Sequence, residues 1–167
     1  MSKSRELKVE PRGEREIVIT RSFDAPRGLV FEAMTRPELL KRWLGVFGGW
    51  SLAVCEVDLR VGGRWRYVMA ADGGFEVAFH GEYVELVPDE RIVTREVYEG
   101  LPEGVTEEQG STVNTATFAD AGEGRTELTL LIQTTSKFAR DAIIESGMED
   151  GLQDALDLAE EVVLSRR

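Results

Sequence analysis

From Arg64 to Val87 the chain reads RWRYVMAADGGFEVAFHGEYVELV, and this stretch decides the fold. Trp65, Tyr67 and Met69 alternate with Arg66, Val68 and Ala70; beyond Gly74, Val77, Phe79 and Tyr83 keep the same period of two. Side chains on a strand point to opposite faces in turn, so each set occupies a single face. Asp72-Gly73-Gly74 between them is a tight hairpin turn, because glycine takes positive φ without strain. The two strands are therefore neighbours and their rings share one surface.

The same punctuation extends in both directions. The pattern predicts strands at Trp50–Asp58, Gly63–Ala70, Phe75–Val87, Arg91–Tyr98, Thr112–Phe118 and Glu127–Thr134. Pro88-Asp89-Glu90 and Ala121-Gly122-Glu123-Gly124 supply turns, and only the acidic Glu99–Ser111 connection is long. Short strands joined in this way form an antiparallel meander. Upstream, a β-branched run from Glu16 to Phe23 predicts one more strand, with Ile17, Ile19 and Arg21 on one face. Asp24-Ala25-Pro26 and Thr35-Arg36-Pro37 then open two short helices. Their apolar positions are Leu29, Val30, Ala33 and Met34, then Leu39, Leu40, Trp43 and Leu44. The glycines from Gly45 to Gly49 end the second and read as a plain loop.

Residues 1–14 show no hydrophobic period and read as a flexible tail, leaving residues 15–167 as a single domain. The chain closes with a predicted long helix from Phe138 to Leu164. Ile144, Met148, Leu152, Ala155, Ala159 and Val162 draw one apolar stripe along it. At ~1.5 Å per residue such a helix crosses a whole sheet. The apolar face of the meander has to be covered, so the fold class is α+β. A curved antiparallel sheet wraps around the long C-terminal helix, with two short helices after the first strand.

Composition narrows the function classes. The 167 residues are 42% hydrophobic and 31% charged, a globular balance. The net charge is −11, and it sits in the second half: residues 1–83 carry 13 basic and 12 acidic groups, residues 84–167 carry 7 and 19. Such a surface repels phosphate backbones and anionic lipid, so nucleic acid is not an expected partner. The start is polar, and no apolar run reaches the ~18 residues of a membrane helix, so no membrane insertion is expected. One cysteine, Cys55, forbids an intrachain disulfide and predicts a cytoplasmic location.

Catalytic constellations are sparse. His80 is the only histidine, no Gly-x-Ser-x-Gly elbow occurs, and no cluster has metal-ligand spacing; neither a metal nor a cofactor is expected. Cys55, among Val54 and Val57, reads as a core thiol. His80 and Glu82 share a strand face, which suits a half-buried histidine paired to a carboxylate. With Arg95 they are the candidate polar groups of any interior site, but strict alternation turns them away from Phe79 and Tyr83 unless a bulge forms near Gly81. Large amphipathic rings at Trp65, Tyr67 and Tyr83 facing a helix suit a cavity for an apolar or aromatic molecule, although a bulky packed core gives the same pattern. Gly147 and Gly151 lie four apart on the helix. They mark either a bend or close contact, or space for a ligand beside Met148 and Leu152.

Further motifs carry a resemblance. Asp24-Ala25-Pro26, Thr35-Arg36-Pro37-Glu38-Leu39-Leu40 leading to Trp43, and Asp58-Leu59-Arg60-Val61-Gly62-Gly63-Arg64-Trp65 come first. Gly81 to Pro88, Glu90-Arg91-Ile92-Val93, Thr117-Phe118 and Ser146-Gly147-Met148 follow in order. Together they resemble the START-like (SRPBCC, helix-grip) superfamily, and within it the heat-shock protein 90 ATPase activator homologues, from about Glu16 to Val163. The resemblance implies a sheet gripping the last helix and, between them, a cavity for hydrophobic molecules. No catalytic motif is common to the superfamily, so no catalytic residue is assigned. Relatives often carry paired tryptophans and Gly-Pro where this chain has Trp43-Leu44-Gly45-Val46, so the loop at the mouth is expected to differ.

The expectation is thus a non-enzymatic binding protein for a small hydrophobic or aromatic ligand. Its lining residues would be Trp43, Trp65, Tyr67, Met69, Phe79, Tyr83, Met148, Gly151 and Leu152. The alternatives are a cochaperone-like partner of a chaperone, or a cyclase- or aromatase-type enzyme using His80, Glu82 or Arg95. Monomer and homodimer both remain open.

Overall fold

In the strand Glu16–Phe23, Ile17, Ile19, Arg21 and Phe23 are buried and the residues between them only partly so. This alternation sets the inner face of the whole sheet. The computed structural model describes residues 6–46 and 48–166. Its elements are β1 (Lys8–Arg12), β2 (Glu16–Phe23), α1 (Arg27–Ala33), α2 (Pro37–Leu40), β3 (Trp50–Val57), β4 (Arg64–Ala71) and β5 (Glu76–Val87). They continue with β6 (Arg91–Tyr98), α3 (Glu107–Gly110), β7 (Ser111–Gly122), β8 (Arg125–Gln133), α4 (Lys137–Glu145) and α5 (Met148–Leu164). The strands form one curved antiparallel sheet of eight in the order β1-β2-β8-β7-β6-β5-β4-β3. The α+β helix-grip architecture is as the sequence predicts.

The core lies between the inner face and the helices. Phe23, Phe118 and Leu128 from the sheet, Val30 from α1, and Leu156, Ala159 and Val163 from α5 are each no more than 1% exposed. Phe31 of α1 meets Phe118 edge-on at 5.5 Å. Arg21 also points inward, where Glu160 of α5 receives it at 2.9 Å. No described helix is long and apolar enough to cross a membrane.

The structure departs from the sequence reading in three places. Residues 8–12, read as tail, form β1, paired with β2 from Lys8↔Thr20 to Arg12↔Glu16. Leu7 is buried, and its N–H donates to Gln153 Oε1 of α5 at 2.8 Å. Only Val9 and Pro11 alternate with the charges there, too few to show a period; residues 1–5 of the tail lie outside the described residues. Second, the long helix is broken. α4 ends at Glu145, and Gly147 caps α5 with φ 84°, a left-handed conformation that suits glycine. The apolar stripe keeps its phase through the break, so periodicity alone does not reveal it. Third, the acidic connection contains α3, closed by a capping box between Thr106 and Gln109. It packs against β6 on the outer face of the sheet.

Candidate functional site

Ring packing concentrates on the inner face of β4, β5 and β6. Tyr67 pairs with Phe79, and Phe79 with Tyr98, across three strands; the next row is Trp65, Gly81 and Glu96. The Trp65 and Tyr67 rings are 4.8 Å apart, and those of Phe79 and Tyr98 5.3 Å. Tyr67 and Tyr83 share a hydrogen bond. Burial raises the Tyr67 hydroxyl well above its usual range and pushes Tyr83 up to about 12, so both keep their protons.

Burial is graded along this interior. Around Phe23, Phe118 and Leu156 it is closed, but Tyr67, Met69 and Phe79, with Ile143, Ile144, Met148, Leu152 and Ala155 of the helices, are only half-buried. Solvent therefore reaches an apolar seam between the aromatic strands and the α4–α5 junction. Sequence reasoning named Trp65, Tyr67, Met69, Phe79, Tyr83, Met148 and Leu152, and all of these pack in or against the one core cluster.

The other two expected lining residues are Trp43, inside the same core cluster, and Gly151, at the exposed start of α5. Trp43 is 5% exposed, and its Nε1 donates to Ala33 O at 2.8 Å, so it ties α1 to the segment after α2. Gly151 is exposed, and no atom lies within 4 Å of the place its Cβ would take. Close packing there is excluded, and the bend belongs to Gly147.

His80, Glu82 and Arg95 do not enter the interior. Register places His80 opposite Arg66 and Val97, and Glu82 opposite Arg64 and Arg95, all on the outer face. The irregularity in β5 comes between Tyr83 and Glu85, too late to turn them inward. Gly81 is required for another reason: a Cβ there would stand 1.7 Å from Arg95 O and 2.8 Å from Trp65 Cζ2. The carboxylate partner of His80 is Glu99, 2.9 Å from Nδ1, and Arg66 grips the same carboxylate through Nε and Nη2. The Arg66 hydrogen bonds, helped by His80, hold Glu99 down at about 2.

Sequence reasoning missed the polar groups that do face inward. Glu96 lies on the inner face of β6, accepting a hydrogen bond from Asn114 Nδ2, and burial raises its carboxyl above the usual range. Asn114 Oδ1 and Trp65 Nε1 are buried without a hydrogen-bond partner. Cys55, opposite Tyr67, is partly buried, and burial pushes its thiol up, away from the thiolate form. The signal was present: once Ile92 is assigned to the core, period two carries Thr94, Glu96 and Tyr98 inward with it.

Among the described residues no group of three His, Cys, Asp or Glu is placed to hold a metal ion. A surface hollow of about 500 Å³ lies away from the seam, lined by Glu6, Arg21, Gln153, Asp157, Glu160, Glu161 and Leu164. Its arginine is committed to Glu160, Asp157 and Ser22 O, which makes it a structural anchor.

Comparison with known proteins agrees with this architecture. No functionally curated protein matches the chain. A solved protein of Rhodobacter sphaeroides superposes with a TM-score of 0.85 at 26% identity, over 96% of this chain and 99% of that one. One from Chromobacterium violaceum gives 0.71 at 29% identity, over 91% and 97%. An AHSA1-like protein of Aeromonas hydrophila gives 0.66 at 21%, over 89% and 93%, a likeness of fold alone. The family model described as activator of Hsp90 ATPase homolog 1-like protein matches residues 24–163, and the chain belongs to that family.

Proposed function

We propose that this protein binds a small, largely apolar molecule in the seam between the inner face of β4–β6 and the α4–α5 junction, without transforming it. One observation carries the reading: the interior closes fully around Phe23 and Leu156 but leaves Tyr67, Met69, Phe79, Met148 and Leu152 within reach of solvent. Concave apolar surface with a few polar groups is what a small-molecule site requires. The outward placement of His80, Glu82 and Arg95 removes the acid–base groups on which a cyclase-type reading depended.

Native mass spectrometry of the protein as purified tests the proposal. A bound molecule lost in Phe79→Ala supports it; a bare mass, together with no binding of any apolar probe, overturns it. A cochaperone-like role is the second reading. Family membership supports it, and so do the exposed apolar side chains of Leu59 and Val61, just ahead of Gly62, whose N–H donates to Tyr83 O beside the exposed Val84. Retention of a chaperone by the wild type but not by Val61→Asp would favour it.

A further inference from the structure

Gly81 sits in one cross-strand row between Trp65 and Glu96, with the Trp65 ring packed close against its backbone and Tyr67 and Phe79 in the neighbouring row. Glu96 is thus a carboxyl group set among ring faces, close enough to Tyr67 to raise its pKa. Among the described residues no cation pairs with it, and its one hydrogen bond comes from Asn114. On the inner-face positions of the strands the sole cation is Arg21, already committed to Glu160 and Asp157.

An acid buried without a counter-ion keeps its proton or waits for a charge from outside. A negatively charged ligand finds no uncommitted cation on the inner-face strand positions and is repelled once Glu96 ionises. A neutral ligand gains nothing from that charge. A protonated nitrogen gains twice, from the carboxylate at low local dielectric and from the faces of Trp65 and Tyr67. We infer that the ligand is an organic amine, its ammonium group docked on Glu96 beside the Trp65 and Tyr67 rings and its apolar body lying along the seam. The inference rests on the binding function proposed above. The buried Trp65 Nε1–H, which has no partner, gives an oxygen on the same molecule a place to accept a hydrogen bond. The −11 net charge of the chain draws such a ligand in.

The test uses three probes with one ring system and different heads: 2-naphthylmethylamine, 2-naphthylmethanol and 2-naphthoate, titrated at pH 7 and followed by calorimetry. The wild type is expected to bind the amine about tenfold tighter than the alcohol, with naphthoate weakest. In Glu96→Gln that preference for amine over alcohol disappears. An alcohol bound as tightly as the amine by the wild type, tightest binding of naphthoate, or an unchanged preference in Glu96→Gln overturns the amine while leaving ligand binding intact. Binding of none of the three overturns the binding reading itself. The wild-type ranking needs no variant to fold.

Discussion

Arg21 on the inner face of β2 and Glu160 on α5 form an ion pair at 2.9 Å, with side chains only 1% and 3% exposed. Glu160 also accepts from the Asp24 N–H at 2.9 Å, so one carboxylate joins α5 to both β2 and the approach to α1. Arg21 lies over the Phe23 ring at 4.6 Å. Glu160→Ala leaves the buried Arg21 with only the half-exposed Asp157 as counter-charge and Ser22 O as acceptor, and should cost up to ~3–5 kcal/mol. Replacing both, as Arg21→Met with Glu160→Leu, should recover most of that loss. Urea denaturation of the singles and the double tests this; equal costs for all three would mean that the pair does not act as a unit.

Gly81→Ala should cost ~3 kcal/mol or more, at or beyond the upper end of ordinary overpacking, because the clash is with backbone. The nearest atom is Arg95 O of the paired strand, 1.7 Å from the added carbon, and a carbonyl in a ladder cannot rotate away. A variant within ~1 kcal/mol of wild type would show that the strands separate there easily.

The two helical glycines should respond in opposite directions. Gly147 has φ 84°, so Gly147→Ala forces an L-residue into the left-handed region and should lose ~1 kcal/mol. Gly151 lies in the first turn of α5 with open space around it, so Gly151→Ala should gain up to ~1 kcal/mol of helix propensity. Chemical denaturation of both variants decides; a stabilised Gly147→Ala would contradict the break between α4 and α5.

Acid should release the outer-face segment that carries α3. Glu99 is held at about 2, below the ordinary 4.5, so its pairing with Arg66 and His80 contributes fully above about 4.5. That contribution is lost as the pH falls toward 2. The Thr106 and Gln109 amide signals in two-dimensional NMR should shift through this window, and Glu99→Gln should abolish the dependence. Signals steady down to pH 2 in the wild type would show that the segment is held by other means.

Alternation made the meander legible because one face of each strand is dry and the other is not. Arg91–Tyr98 is read to the residue, and the Asp72-Gly73-Gly74 turn fixes its two neighbours. What periodicity could not show was where phase continues but backbone does not, as at Ser146-Gly147, or where an element is too short, as in β1 and α3. The candidate site was half legible for a related reason. Apolar rings announce an inward face, whereas Glu96 and Asn114 look like surface residues until their strands are placed in register.

The sheet is open, and its two outermost strands would ordinarily invite other chains to add to it. At one margin Pro11 offers no amide proton, and Lys8, Glu10 and Arg12 alternate along the same five residues. At the other, β3 is interrupted between Leu52 and Val54, which bends the row of free backbone groups out of line. A charged, proline-bearing border and a crooked one are both poor templates for cross-molecular strand addition. Concentrated solutions should therefore resist fibril growth, and straightening β3 by deleting Ala53 should weaken that protection.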